Sequence, residues 1–177
     1  MDLVAFGLLA AVLILVGVPT IAGHLPQGGA SGRGGFPGMG WNLTNAQTEI
    51  ASLYQANGHS YSAVTPLLLA SSAPEFDWLP GGATVGAPAP AVSIDVCADG
   101  PACQAVVLAT DSRGMHTCWY GVTIDSSRAA RAFGLRGAGT FYGSRRNPQA
   151  CSAGTPGHPA RPASGWQATL SAAAPHG

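Results

Sequence analysis

Lysine is absent from this sequence. Charged side chains of any kind are scarce, 9% of 177 residues, and eight arginines balance eight carboxylates to a formal net charge of zero. That balance argues against a protein built mainly to hold nucleic acid. The absence of lysine beside abundant Ala, Gly and Pro is also what a GC-rich coding sequence produces.

Catalytic signatures are missing too. None of the five histidines forms an H-x-x-x-H or H-E-x-x-H pair. No G-x-S-x-G turn occurs. The carboxylates Asp95, Asp99, Asp111 and Asp125 are spread over strands and turns rather than gathered in a D-x-D-x-D calcium loop. GLRGAG at 134–139 lacks the strand before and the helix after that a dinucleotide loop needs. No cofactor, metal or small-molecule substrate is implied.

What the chain does have is a long apolar run, LVAFGLLAAVLILVGVPTIA from Leu3 to Ala22, with no charged residue. About twenty residues at 1.5 Å each cross the hydrocarbon core of a bilayer. The run lacks the basic flank and A-x-A site of a cleaved signal, so residues 1–23 read as a retained transmembrane helix. Pro19 removes a backbone donor near its end and predicts a kink or a stop.

His24 to Gly40 has seven glycines and two prolines, which makes it a helix-breaking linker. Residues 41–170 then read as one extracytoplasmic head, with a flexible tail at 171–177. Leu43, Ala46, Ile50, Leu53 and Tyr54 recur at helical spacing between Trp41 and Asn57, with Asn42 or Thr44 as the cap and Gly58 as the stop. A short helix is expected around Val64–Ala70 and a strand at Glu75–Leu79 with Phe76 and Trp78 on one face. Ala91–Cys97 alternates, with Val92, Ile94 and Val96 opposite Ser93, Asp95 and Cys97. Gln104–Thr110 and Thr117–Ile124 are further strands, with turns at Asp99-Gly100 and Asp111–Met115. Beyond Asp125 a helical turn at Ala129–Leu135, a short strand at Thr140–Tyr142, a loop at Gly154–Ser164 and a return to the sheet at Trp166–Leu170 complete the reading. The fold class is α+β.

Four cysteines behind an export-type segment read as two disulfides and allow three pairings. A Cys97–Cys103 bridge would close the first hairpin near its tip, for about 2 kcal/mol.

The order of elements resembles that of type IV pilins and type II secretion pseudopilins: anchor, amphipathic helix, small antiparallel sheet with disulfides. LLAAVLILVGVPTIAG is similar to the pilin transmembrane signature with its Val-Pro-Thr step, and NAQTEIASLYQANGHSY to the second half of the pilin helix and its following loop. VVLATDSRGMHTCWYGV, and GTFYG with ACSA between Gly139 and Ala153, resemble sheet strands and the C-terminal cysteine segment of an actinobacterial pilin-like group. Prepilins carry a short basic leader ending in Gly, then Phe and a Glu four residues on. Counting back from Pro19, Asp2 takes the place of that Glu, so the chain reads as starting a few residues inside the mature pilin. The Gly-rich linker replaces the middle of what is one long helix in pilins.

The resemblance implies a structural subunit that assembles with like or related pilin subunits through a membrane machinery. Asp2 would pair with a neighbour's N-terminal amine, and small residues such as Gly7 would let apolar helices approach closely. In such an exported domain Cys118 is expected to bridge Cys151, for about 3.5 kcal/mol. A reduced Cys118 two residues from His116 is the competing, nucleophilic reading. Arg128, Arg131, Arg136, Arg145 and Arg146, with Phe141 and Tyr142 among them, read as a solvated surface before a nucleic-acid one. The alternative function is a membrane-anchored binding or adhesion domain that never polymerises. A secreted hydrolase is a more distant third.

Overall fold

The apolar stripe of the first helix becomes one wall of the core. In a computed structural model, which describes residues 39–86, 90–97, 104–112, 116–155 and 158–174, helix α1 spans Met39–Ala56. Leu43, Ala46 and Ile50 are buried, with Leu53 and Tyr54 packed at the rim. The helix starts before the expected caps, so Asn42 and Thr44 lie inside it; the last two residues of the expected linker, Met39 and Gly40, are helical, and the rest of it lies outside the described residues. Its stop is the expected one. Gly58 adopts φ 66°, and the His59 and Gly58 amides reach back to the carbonyls of Tyr54 and Gln55 at 2.9 and 3.3 Å. A left-handed glycine that lets the chain turn back on orphan carbonyls is the usual end of a helix.

Helix α2, Pro66–Ser72, carries its signals locally. The Thr65 hydroxyl accepts from the Leu68 amide at 3.2 Å, and Pro66 occupies the first turn. Its Leu69 is buried against α1 and the sheet. Strand β1, Asp77–Pro80, follows. Phe76 and Trp78 both enter the core, ring to ring at 5.3 Å, and the Trp78 indole donates to the Ala73 carbonyl at 2.9 Å.

The main sheet has the order β1-β2-β3-β4-β5. Its further strands are β2 (Ala91–Val96), β3 (Ala105–Ser112), β4 (Thr117–Ile124) and β5 (Gly139–Arg146). β1 pairs parallel to β2, and the remaining pairs are antiparallel. The expected α+β class is therefore present. β4 has the expected bounds. β3 runs on through Asp111 and Ser112, which pair with Cys118 and Thr117 where a turn was expected. The tip residues of both hairpins lie outside the described residues.

Both faces of β2 are covered. Opposite Val92 and Ile94, Ser93 is fully buried and Asp95 is only 6% exposed. The cause is the C-terminal third, which folds over the second face. Helix α3 (Ser127–Ala132) and the two-residue strands β6 (Gly154–Thr155) and β7 (His158–Pro159) cover it. Ala130, Cys151, Ala153 and Trp166 meet Ala105, Val107, Tyr120 and Val122 there. Ser93 is made compatible with burial by two bonds: it donates to the Pro80 carbonyl at 3.3 Å and accepts from the Ala153 amide at 3.1 Å.

β5 is eight residues long where a three-residue strand was expected. The return to the sheet near Trp166 is a single bridge, Gln167 to Tyr142. Residues 171–174 are not a loose tail: Ala173 is buried and its carbonyl accepts the Ser144 hydroxyl. The Leu3–Ala22 run lies outside the described residues, and among the described ones no helix is long and apolar enough to cross a membrane.

Candidate functional site

Of the residues singled out by the sequence, Asp2, Gly7, Pro19 and Cys103 lie outside the described residues. Cys97, expected as the last residue of the first hairpin strand, lies one residue past the end of β2, with the Gln104 amide 3.1 Å from its sulfur. Cys118 and Cys151 are bridged, with Cα atoms 5.3 Å apart. Cys118 is fully buried in β4. The competing thiol–imidazole reading is thereby corrected, because the sulfur is oxidised and out of reach. His116 has φ 47°, and its carbonyl accepts from the Asn147 amide at 2.6 Å, so it serves as a corner residue.

The bridge starts a strap that runs back across β5. Pro162 packs on Gly143, while the Ser164 hydroxyl accepts the Ser144 amide at 2.8 Å. Gln167 exchanges two backbone bonds with Tyr142, at 2.8 and 2.7 Å. Outward-facing backbone groups of β5 at 142 and 144 are thus satisfied, which blunts a strand edge that would otherwise template pairing. Between strap and strand lies a groove of about 530 Å³ lined by Ser144, Arg146, Ser164, Gln167 and alanines. Among the described residues its lining supplies two hydroxyls, an amide and a guanidinium, with no imidazole or carboxylate to act as a base.

A second polar cluster lies where α1 ends. The Tyr61 hydroxyl donates to the Asp125 carboxylate, Tyr54 to the Gln104 side chain at 3.5 Å, and the Gln104 amide to the His59 carbonyl at 3.5 Å. Tyr54 stacks against Tyr61 at 4.4 Å. Burial pushes the Tyr54 phenol above its ordinary range, and the Asp125 charge adds to that. These bonds latch the 57–61 turn to the corner after β4. The latch was missed at the sequence level because its members are up to 64 residues apart and share no spacing.

Helix α3 is short but capped at both ends. Ser126 accepts the Ala129 amide at 3.1 Å, and Gly134, at φ 72°, lets Leu135 reach the Ala130 carbonyl at 2.9 Å. Ala130 is buried, and Arg128 and Arg131 project from the opposite, exposed side. Phe133 meets Trp166 at a ring distance of 6.1 Å. Among the described residues no group of three or more His, Cys, Asp or Glu converges as a metal site.

Against family models, curated proteins and solved structures, the chain finds no match. Its reading rests on the residues themselves. What they build is a disulfide-fastened α+β fold with helix α1 laid along a mostly antiparallel sheet.

Proposed function

We propose that the chain is a structural subunit of a surface filament, of the type IV pilus or type II secretion pseudopilus kind, assembled through Leu3–Ala22. The observation that carries this reading is a succession. An uncharged run long enough for a bilayer is followed by a helix packed on a mostly antiparallel sheet, and a disulfide fastens the last segment onto that sheet. The run serves first as a lipid-embedded store for the subunit and then as filament core. Gly7 and its small neighbours allow close helix approach, and Asp2 is stabilised at the apolar edge by a neighbour's amine. The membrane machinery supplies the work of extraction. The head forms the outer surface, where an oxidising exterior keeps its disulfide formed.

Shearing cells that produce the full chain tests this. The subunit should appear in the sheared, sedimentable fraction as long polymers, and Gly7→Leu should return it to the membrane as monomer. Wild-type chain remaining wholly in the membrane while other filaments are released would overturn the proposal. That outcome would favour a lone anchored binding or adhesion domain.

A further inference from the structure

Charge is segregated along this chain. After Asp125 the sequence contains no carboxylate side chain, whereas all six arginines among the described residues lie between 128 and 161. Arg128 and Arg131 lie on helix α3 and Arg136 four residues past its end; all three are exposed and have no carboxylate within ion-pair reach among the described residues. Phe133, which lines a cavity together with Arg128, forms a half-buried, edge-to-face pair with Trp166. The caps at Ser126 and Gly134 hold this surface in one shape.

Unpaired guanidinium groups bind phosphate oxygens through two parallel hydrogen bonds. Indole and phenyl rings favour the head-group level of a bilayer. An edge-to-face pair already occupies one ring face, so it is a poor platform for stacking successive nucleic-acid bases. Only residues 23–38 separate Ala22 from the start of α1. Such a segment spans at most about 55 Å when fully extended, which keeps the head near any membrane that holds the apolar run and raises the effective concentration of its lipids.

We infer that the α3 face, Arg128, Arg131 and Arg136 with Phe133 and Trp166, docks on the anionic phosphate head groups of the membrane that tethers the chain. This rests on the reading of Leu3–Ala22 as a membrane span. Docking would lay the unassembled head down on the bilayer, and each arginine should contribute roughly fivefold to the docked population.

The full chain, reconstituted into vesicles of neutral phosphatidylcholine or with about 30 mol % phosphatidylglycerol, provides the test. Brominated lipid should quench tryptophan emission more strongly in the anionic vesicles, and Trp166→Phe should remove that increment. The triple variant R128Q/R131Q/R136Q should abolish it, as should about 0.5 M salt, where the screening length falls to about 4 Å. Equal quenching in both lipids, persistence in the triple variant, or preference for a DNA duplex over the anionic vesicles would overturn the docking. Flotation with neutral vesicles reads the span separately. A chain that floats but shows no lipid-dependent quenching refutes docking alone, and one that does not float refutes both.

Discussion

Pro162 packs so closely on Gly143 that a methyl group at residue 143 would lie 2.2 Å from the proline Cγ and 2.9 Å from the Gly165 carbonyl oxygen. Neither obstacle is the end of a flexible side chain. Gly143→Ala should therefore push the strap off β5 and cost about 1–3 kcal/mol in urea denaturation. Gly86→Ala, where nothing among the described residues lies within 4 Å, is the control and should not lower the midpoint. Equal midpoints for the two variants would show that the strap does not depend on this contact.

The Cys118–Cys151 bridge closes a loop of 33 residues. In the chain-entropy account a loop of that size stabilises the fold by about 3.5 kcal/mol. The double variant Cys118→Ala/Cys151→Ala should lose about that much, plus a smaller packing loss because Cys118 is fully buried. Reductant should shift the wild-type midpoint in the same direction. A non-reduced digest should contain the Cys118–Cys151 peptide pair, and a second pair joining Cys97 to Cys103.

Asp95 gives the stability a definite pH dependence. It faces the C-terminal segment beside Gly81, and burial raises its pKa above the ordinary 3.8 of an aspartate. The folded chain thus holds this proton more tightly than the unfolded chain does. The contribution is fully present below the unfolded pKa and is lost as pH rises through the folded one. Asp95→Asn should therefore stabilise the fold at neutral pH and flatten this part of the profile between urea titrations at pH 4 and pH 7. A variant less stable than wild type at pH 7 would show that the carboxylate has a favourable partner there.

How far these features were legible differs from one element to the next. The stripe of α1 could be read because burial on one continuous surface imposes a period, and the strand Thr117–Ile124, buried on both faces, because β-branched and aromatic residues crowd it behind a turn signal. Gly58 acts within one turn and was read as the stop of α1, whereas the Thr65-Pro66 start of α2, equally local, was passed over for a helix beginning at Val64. β5 was not: GTFYGSRR has no clean alternation, since Gly143 is shaped by Pro162 rather than by the core. The burial of Ser93 and Asp95 was hidden for a similar reason. It depends on residues 151–174 returning over the sheet, and nothing in the β2 pattern records what will cover its second face. The disulfide was legible from redox logic, whereas the Tyr61–Asp125 latch is a single long-range bond with no sequence pattern.

Gln47 offers a test of how α1 is seated. Its side chain lies over Gly121 of β4, where an added Cβ would be 2.7 Å from the amide nitrogen and 3.3 Å from a Leu43 methyl. Glycine at 121 is what lets the helix come this close. The approach leaves both amide atoms of Gln47 buried with no hydrogen-bond partner among the described residues. An unpaired buried polar group costs about 1–3 kcal/mol, so replacing it by an apolar group of similar shape should be favourable. Gln47→Met, which keeps the length, should raise the urea midpoint by an amount worth about 1 kcal/mol or more. Gly121→Ala should be mild, because the end of the Gln47 side chain can give way. Gly121→Val should be severe, because its bulk must displace Leu43 and the helix axis with it. If Gln47→Met instead lowers stability, an ordered water or a partner subunit satisfies the amide, and the helix–sheet contact is polar by design.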